Sequence, residues 1–376
     1  MIKPEPLEAT AVLTVNLGAI VANWLGLRGK LPRAECAAVV KADAYGLGAE
    51  KVAPALAAAG CVTFFVAPLD EGVVLRPLLP EAEIVALSGL VAGNEKEHVA
   101  HRVTPVLNSL EEIARWQAFA WSSGKLLPAW IHLDTGMNRL GLDTSAVLSL
   151  ATQPERLDGL LLHGWMSHLA CADQAGHPMS VAQLGRFHLA LARLPKARRS
   201  LANSAGIFRS RALHLELVRP GAALYGINPT PTTTNPQLSV ITMKGRILQV
   251  RDIDRGKGVG YGAKHKMDRP GRIATIAVGY ADGCLRSQEG RGRVFIDGQP
   301  APVVGQVSMD LITADVTELP NGAVQPGGWA ELIGPHRSVD TVAEESGTIG
   351  YEILTSLSRR CRRVWLPPCE GEKWTF

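Results

Sequence analysis

Between residues 36 and 225 the chain alternates short apolar or β-branched runs with stretches whose apolar positions recur at helical spacing, the pattern of repeated strand–helix units. Strands are predicted at Cys36–Lys41, Val62–Ala67, Glu83–Ser88, Val103–Leu107, Ala129–Asp134, Leu160–His168 and Ser200–Ser204, with a shorter one at Leu217–Arg219. Helices are predicted over Glu50–Ala59, Ser109–Ser122 and Ser180–Leu194, each beginning near a Ser or Gly. About eight such units imply an α/β fold closed into a (β/α)8 TIM-type barrel. Periodicity does not report closure, so an open doubly wound sheet stays available at this point. Past Gly226 the proline- and threonine-rich run Asn228–Pro236 reads as a linker, and helical periodicity fades. Strands bounded by glycine turns are predicted at Leu238–Arg251, Gly271–Val278, Arg293–Asp297, Ala301–Val307, Leu311–Val316 and Trp329–Ile333, with one helix over Tyr351–Cys361. The expected organisation is a barrel over residues 1–235 and a mainly antiparallel β domain over residues 236–376, with the chain's first strand free to pack with the second domain.

A length of 376 residues exceeds one ordinary compact core. With 46% hydrophobic and 20% charged residues the chain has a globular composition. The net charge of +4 is dispersed, and the basic clusters Lys196–Arg199 and Arg359–Arg363 lack interleaved aromatic residues. They read as solvated helix ends, which argues against a nucleic-acid partner and leaves room for a small anionic ligand. The N-terminal residues Met1–Glu8 lack the basic stretch and apolar core of a secretory signal. No run approaches the roughly twenty apolar residues of a membrane span. Cys36, Cys61, Cys171, Cys284, Cys361 and Cys369 show no zinc spacing. They read as small buried hydrophobes in a reduced, cytoplasmic compartment, with no metal expected.

Chemistry concentrates first at Lys41, where the apolar run Ala38–Val40 meets the glycine-broken segment Tyr45-Gly-Leu-Gly48. An amine at a buried strand end loses hydration, which lowers its pKa and frees it as a nucleophile and proton carrier. Gly46 and Gly48 open a helix at a natural phosphate site. Other polar residues fall at successive predicted strand ends: Asp134 to Arg139, His168, Asn203-Ser204 and Arg219-Pro220-Gly221. Singly they suit a core histidine, a helix cap or a surface ion pair. Together they suit one site at the C-terminal face of a barrel. The glycine-rich string Gly256–Gly262 lacks the Gly-Lys-Ser/Thr ending of a nucleotide loop and reads as a turn presenting Tyr261.

Nine segments in order, among them Lys-Ala-Asp-Ala-Tyr-Gly-Leu-Gly, Leu-Asp-Thr-Gly-Met-Asn-Arg-Leu-Gly, Met-Ser-His-Leu-Ala, Val-Arg-Pro-Gly-Ala-Ala-Leu-Tyr-Gly, Val-Gly-Tyr-Gly and Val-Ser-Met-Asp, resemble those of bacterial alanine racemases from Ala11 to Arg363. The resemblance implies pyridoxal 5'-phosphate as cofactor, joined to Lys41 as a Schiff base, and interconversion of L- and D-alanine that supplies peptidoglycan. It implies a homodimer with shared active sites, in which Tyr261 comes from the second subunit and serves the face opposite Lys41. Inversion without turning the substrate over needs two such bases. A tyrosine needs its pKa of about 10 depressed for this, and His168 with Arg219 is expected to supply the network. Arg219 is placed by resemblance against the cofactor's ring nitrogen, which it keeps unprotonated. The implied phosphate donors are Tyr45, Ser204, the amides near Gly221 and Ala222, and Tyr351. Substrate carboxylate recognition is implied for Arg139 and Met309, with Asp310 nearby, and Tyr280 and Arg286 are implied at the entrance. The chain departs from the family in having His132 where many relatives carry a carbamylated lysine that orients the carboxylate-binding arginine, and Ser308 where a cysteine is frequent. Arg139 is therefore expected to be oriented by another neighbour or an anion, with His132 at most a hydrogen-bonding support. Competing readings are a racemase of other amino acids, a related decarboxylase, which Arg219 and Tyr261 oppose, and a non-catalytic pyridoxal-phosphate carrier, which the second domain opposes.

Overall fold

The structure, a computed structural model, describes residues 9–368. Met1–Glu8 and Cys369 lie outside the described residues. The described chain divides into two compact units, one formed by residues 20–238 and the other by residues 9–19 with 239–368.

In the first unit nine strand segments form one parallel sheet whose two end members, Glu35–Cys36 and Ala38–Val39, are consecutive in the chain. They are one strand path interrupted at Ala37. The Ala37 and Val39 amides donate to Val218 and Pro220 on one side, and the Val40 amide donates to Phe65 on the other. The sheet therefore closes as a barrel of eight strand positions, running on through Thr63–Val66, Glu83–Ala86, Val103–Leu107, Leu127–His132, Leu160–Met166, Arg198–Asn203 and Leu217–Arg219. Thr63–Val66 and Val103–Leu107 are buried at every position, as strands of a parallel sheet covered on both faces must be. Helices on the outside begin where side chains cap them: Ser109 accepts from the Glu112 amide ahead of Leu110–Ser123, and Asp143 from the Ala146 amide ahead of Thr144–Thr152.

Several boundaries differ from the expected ones. The strand before Lys41 stops at Val39, the one before Asp134 at His132, and the one before His168 at Met166. Residues just beyond, such as Val40 and Ser167, are fully buried without being strand, and their amides still donate to the neighbouring strands at Phe65 and Ser200, so burial continues past the strand ends. The segment 228–236 is bonded through its own side chains: Asn228 donates to the Thr233 carbonyl at 2.8 Å and Asn235 to the Gly226 carbonyl at 2.8 Å. The basic clusters are not helix ends, since Arg198 and Arg199 open a barrel strand and Arg362 and Arg363 open the strand Arg362–Leu366.

In the second unit the strands Gly271–Ile276, Ile312–Asp315, Gln299–Val304, Arg293–Ile296, Trp329–Ile333 and the long Ile241–Ile253 pair in that order, and Ile241–Ile253 bends back to pair with Gly271–Ile276. These pairings are antiparallel and close a small barrel. Ala11–Asn16 adds to it, antiparallel to Ile241–Ile253 and parallel to Arg362–Leu366. The helix expected over Tyr351–Cys361 is the shorter Gly350–Ser356. Cys36, Cys61, Cys284 and Cys361 are buried and Cys171 is half-buried, all as free thiols. No helix among the described residues is long and apolar enough to cross a membrane.

Candidate active site

Lys41 opens a turn that no ordinary helix or strand supplies. Ala42, Asp43, Ala44 and Tyr45 all have left-handed backbone, with φ of 52°, 54°, 53° and 56°, followed by Gly46 at 84° and Gly48 at 98°. The turn reverses the chain after the strand and delivers it to the helix Ala49–Ala58, to whose first amide, that of Ala49, Asp43 Oδ1 is an acceptor at 2.8 Å. Burial lowers the Lys41 pKa and the positive charge of Arg139 lowers it further, while Glu71 opposes both. At any given pH more of this amine is unprotonated than of an ordinary lysine.

Around it the barrel gathers a cluster of cationic and imidazole side chains. Burial, then the charges of Arg219, Arg139 and Lys41, push His168 down to about 3. Burial and Arg219 push His132 down to about 4. Both rings are neutral at neutral pH. Arg219 is itself buried, and burial lowers it to about 9, so it stays a cation. Its guanidinium donates to the Ser200 hydroxyl and to the Ser167 carbonyl. These two bonds hold the Arg219 guanidinium in place. Ser200 passes its own hydrogen to the Leu217 carbonyl at 2.8 Å. Ser167 and Thr135 share a hydroxyl bond of 2.7 Å, and Gln183, fully buried, donates to Thr135 and to the His168 carbonyl. The segments that carry Arg139 and His168 are thereby tied together.

Beside this cluster lies a cradle of neutral donors. Ser204 Oγ accepts from the Gly221 amide at 3.0 Å and from the Ala223 amide at 3.2 Å. Gly221 is required there because a Cβ would collide with the Tyr45 hydroxyl. Tyr45 is held against Tyr225, ring centroids 4.6 Å apart, and Tyr225 donates to the Val39 carbonyl at 2.9 Å.

The remaining expected residues belong to the second unit. The hairpin of Gly258–Val259 with His265–Lys266 carries Tyr261 at its tip, 70% exposed. Met309 accepts from the Ala281 amide through its carbonyl at 3.0 Å, and a Cβ at Gly279 would collide with that carbonyl. Tyr280 follows Gly279 and donates its amide to the Ser308 carbonyl at 3.0 Å. Asp310 pairs with Arg360 at 2.8 Å. Arg286 starts a single turn, Arg286–Gln288, and Tyr351 sits half-exposed on Gly350–Ser356.

Sequence reasoning passed over Glu71, Asn108, Ser167, Ser200 and Gln183. An acid in the first turn of a helix reads as ordinary capping, and buried Ser or Gln gives no periodic signal. Among the described residues no three His, Cys, Asp or Glu side chains gather to hold a metal.

The N-terminal domain profile of alanine racemase matches residues 15–229 and the C-terminal domain profile residues 240–365. The chain is 49% identical to the alanine racemase of Rhodospirillum rubrum, over 97% of this chain and 98% of that one. It is 50% identical to that of Acidiphilium cryptum, over 94% and 98%. Among solved structures, the alanine racemase of Bartonella henselae with covalently bound pyridoxal phosphate superposes with a TM-score of 0.92 at 42% identity, covering 95% of this chain and all of that one.

Proposed function

The chain belongs to the alanine racemase family, and we propose that Lys41 and Tyr261 are the two bases with which it moves the α-proton of alanine. It is a pyridoxal-phosphate-dependent enzyme that interconverts L- and D-alanine. The observation that carries the site assignment is the half-buried Lys41 amine after its barrel strand, its pKa lowered by burial and Arg139, near a neutral His168 on which Arg219, Arg139 and Lys41 all bear.

The residues fit the cofactor. Ser204, the Tyr45 hydroxyl and the backbone at Gly221 lie together as neutral hydrogen-bonding groups suited to a phosphate dianion, in a space that the missing side chain of Gly221 leaves open. In our reading Tyr351 and the Ala222 amide complete the set. Arg219 would stand at the pyridine nitrogen. A cation fixed by Ser200 and Ser167 cannot protonate that nitrogen as a carboxylic acid would, which limits delocalisation and favours return of the proton over decarboxylation or transamination. When bound, pyridoxal phosphate supplies the electron sink that makes the α-proton acidic.

Lys41 takes or returns the proton on one face, its lowered pKa leaving more of the amine unprotonated than in an ordinary lysine. Tyr261 does the same on the other. Arg139 and the Met309 backbone receive the substrate carboxylate, with Asp310 nearby, while Tyr280 and Arg286 line the entrance. Tyr261 stands outward at a hairpin tip, which supports a homodimer in which each subunit lends this residue to the other's site. The setting we infer is cytoplasmic, with D-alanine going to peptidoglycan.

The test follows loss of α-deuterium and optical inversion across a panel of amino acids. Alanine should exchange and invert fastest, and Lys41→Ala should abolish both. Faster turnover of a larger or basic amino acid would transfer the assignment to a different racemase.

A further inference from the structure

The helix Leu69–Leu75 carries Glu71 in its first turn, where an acid is ordinarily explained by the helix dipole. Here both of its oxygens are engaged elsewhere. One accepts from the Ala67 amide at 2.8 Å, just past the strand Thr63–Val66. The other accepts from the Ala42 amide at 2.7 Å, the peptide joined directly to Lys41. That peptide begins the left-handed turn, in which each non-glycine residue costs about 1–2 kcal/mol. Four such residues in succession need external support. Internal bonds, Gly46 to the Ala42 carbonyl at 2.7 Å and Gly48 to the Asp43 carbonyl at 2.9 Å, close the middle. Asp43 anchors the far end to Ala49, and Glu71 anchors the near end.

We propose that Glu71 is a positioning residue for Lys41, clamping the Lys41–Ala42 peptide to the end of the neighbouring strand and so fixing where the amine meets a carbonyl carbon. The inference rests on the reading of Lys41 as the cofactor's lysine. It also has an electrostatic side, because the charged and titratable groups bearing on the amine are Glu71, Arg139 and His168. Glu71 alone among them is an acid, and removing it should lower the Lys41 pKa further. In the covalent step the unprotonated amine displaces the aldehyde oxygen, which leaves as water with the amine's two hydrogens.

The experiment uses the full chain, stripped of cofactor, and follows the rate of covalent uptake of added pyridoxal phosphate as a function of pH. Borohydride reduction and peptide mass spectrometry identify the lysine labelled. Glu71→Gln retains at most one of the two amide bonds, and Glu71→Met retains neither. Above the amine's titration the plateau rate should fall about tenfold in Glu71→Met and by less in Glu71→Gln, since a misplaced nucleophile loses effective concentration. The pH midpoint should move down in both. Unchanged thermal melting separates this from unfolding, and Glu71→Gln decides alone if Glu71→Met does not fold. A plateau within twofold of the parent in the folded variants overturns the proposal, as does a lower plateau with an unmoved midpoint. If the parent itself is labelled at another lysine, the reading of Lys41 falls. If the parent is labelled at Lys41 and the variants match it, only the role of Glu71 falls.

Discussion

His132 carries its proton on Nδ1, as the hydrogen bonds of its neighbour dictate. The Asn108 amide group donates to the Val106 carbonyl at 2.9 Å and toward the Leu87 carbonyl at 3.4 Å. Its oxygen therefore faces His132 Nδ1 at 2.9 Å and accepts. Nε2 keeps its lone pair, and a ring pushed down to about 4 stays neutral at working pH. A neutral acceptor of this kind can lend Arg139 a supporting hydrogen bond, while another neighbour or an anion orients the guanidinium without any carbamate. Wild-type activity should survive rigorous removal of carbon dioxide and bicarbonate, whereas His132→Lys should acquire a bicarbonate dependence. Wild-type activity that vanishes without bicarbonate and returns with it would place a carbamate elsewhere. Asn108→Ala frees the ring, so KM for alanine should rise about tenfold with kcat changed less, the loss of one charge-assisted bond. Lys41, Arg139, His168 and Arg219 were legible in the sequence because they are chemically loud residues beside glycines or strand ends. The Asn108 contact was not, because it joins positions 24 residues apart through a pairing that only the closed sheet creates.

Elements were legible where one physical rule governs them, and their ends were not. Apolar runs marked the barrel strands because both faces are covered, but the same burial extends over Val40, where φ and ψ of −116° and 18° have already left the strand. The left-handed turn after Lys41 was invisible for a related reason, since Ala, Asp and Tyr carry no preference for positive φ strong enough to announce it. Loops hold further devices that composition does not reveal. Arg76 is buried at the end of Leu69–Leu75, and its guanidinium donates to the carbonyls of Leu79, Pro80, Ala82, His101 and Arg102 at 2.7–3.1 Å. One side chain thus fastens the turn that leads into Glu83–Ala86 to the turn that leads into Val103–Leu107. Arg76→Met keeps most of the apolar stem but leaves those carbonyls unsatisfied, and should cost about 3 kcal/mol. Arg76→Lys, with fewer donors, should fall between. Urea unfolding checks both, and a loss under about 0.5 kcal/mol in Arg76→Met would mean that water replaces the cage without penalty.

At the scale of the whole molecule, the count of about eight strand–helix units implied a closed barrel and left the first strand free to pack with the other sheet, but the long-range ladder bonds that close the one and place Ala11–Asn16 in the other are encoded by no local pattern. Closure also concentrates titrating groups, and their signs agree. His168 and His132 are depressed from about 6.5, so the stability they contribute is present above that value and is lost as pH falls toward their folded values of about 3 and 4. Glu83, held low against its burial by His163, Trp130 and Arg198, loses its contribution at still lower pH, below the ordinary carboxylate range. Urea midpoints of the cofactor-free chain should therefore be steady above neutrality and fall from about pH 6.5 downward, with the upper part of that fall flattened in His168→Gln. A midpoint that rises on acidification would reverse the assignment. The largest-scale expectation concerns sharing of sites between subunits. If Tyr261 serves the partner's Lys41, a Lys41→Ala dimer and a Tyr261→Phe dimer are each inactive in racemisation. Their mixture contains hybrids in which one site carries both substitutions and the other carries neither. Random exchange makes half the dimers hybrid with one intact site each, so dissociating and reassociating equal amounts should restore about a quarter of wild-type activity. If Tyr261 serves the Lys41 of its own chain, every site in every hybrid lacks one base and the mixture stays inactive, however completely the subunits exchange.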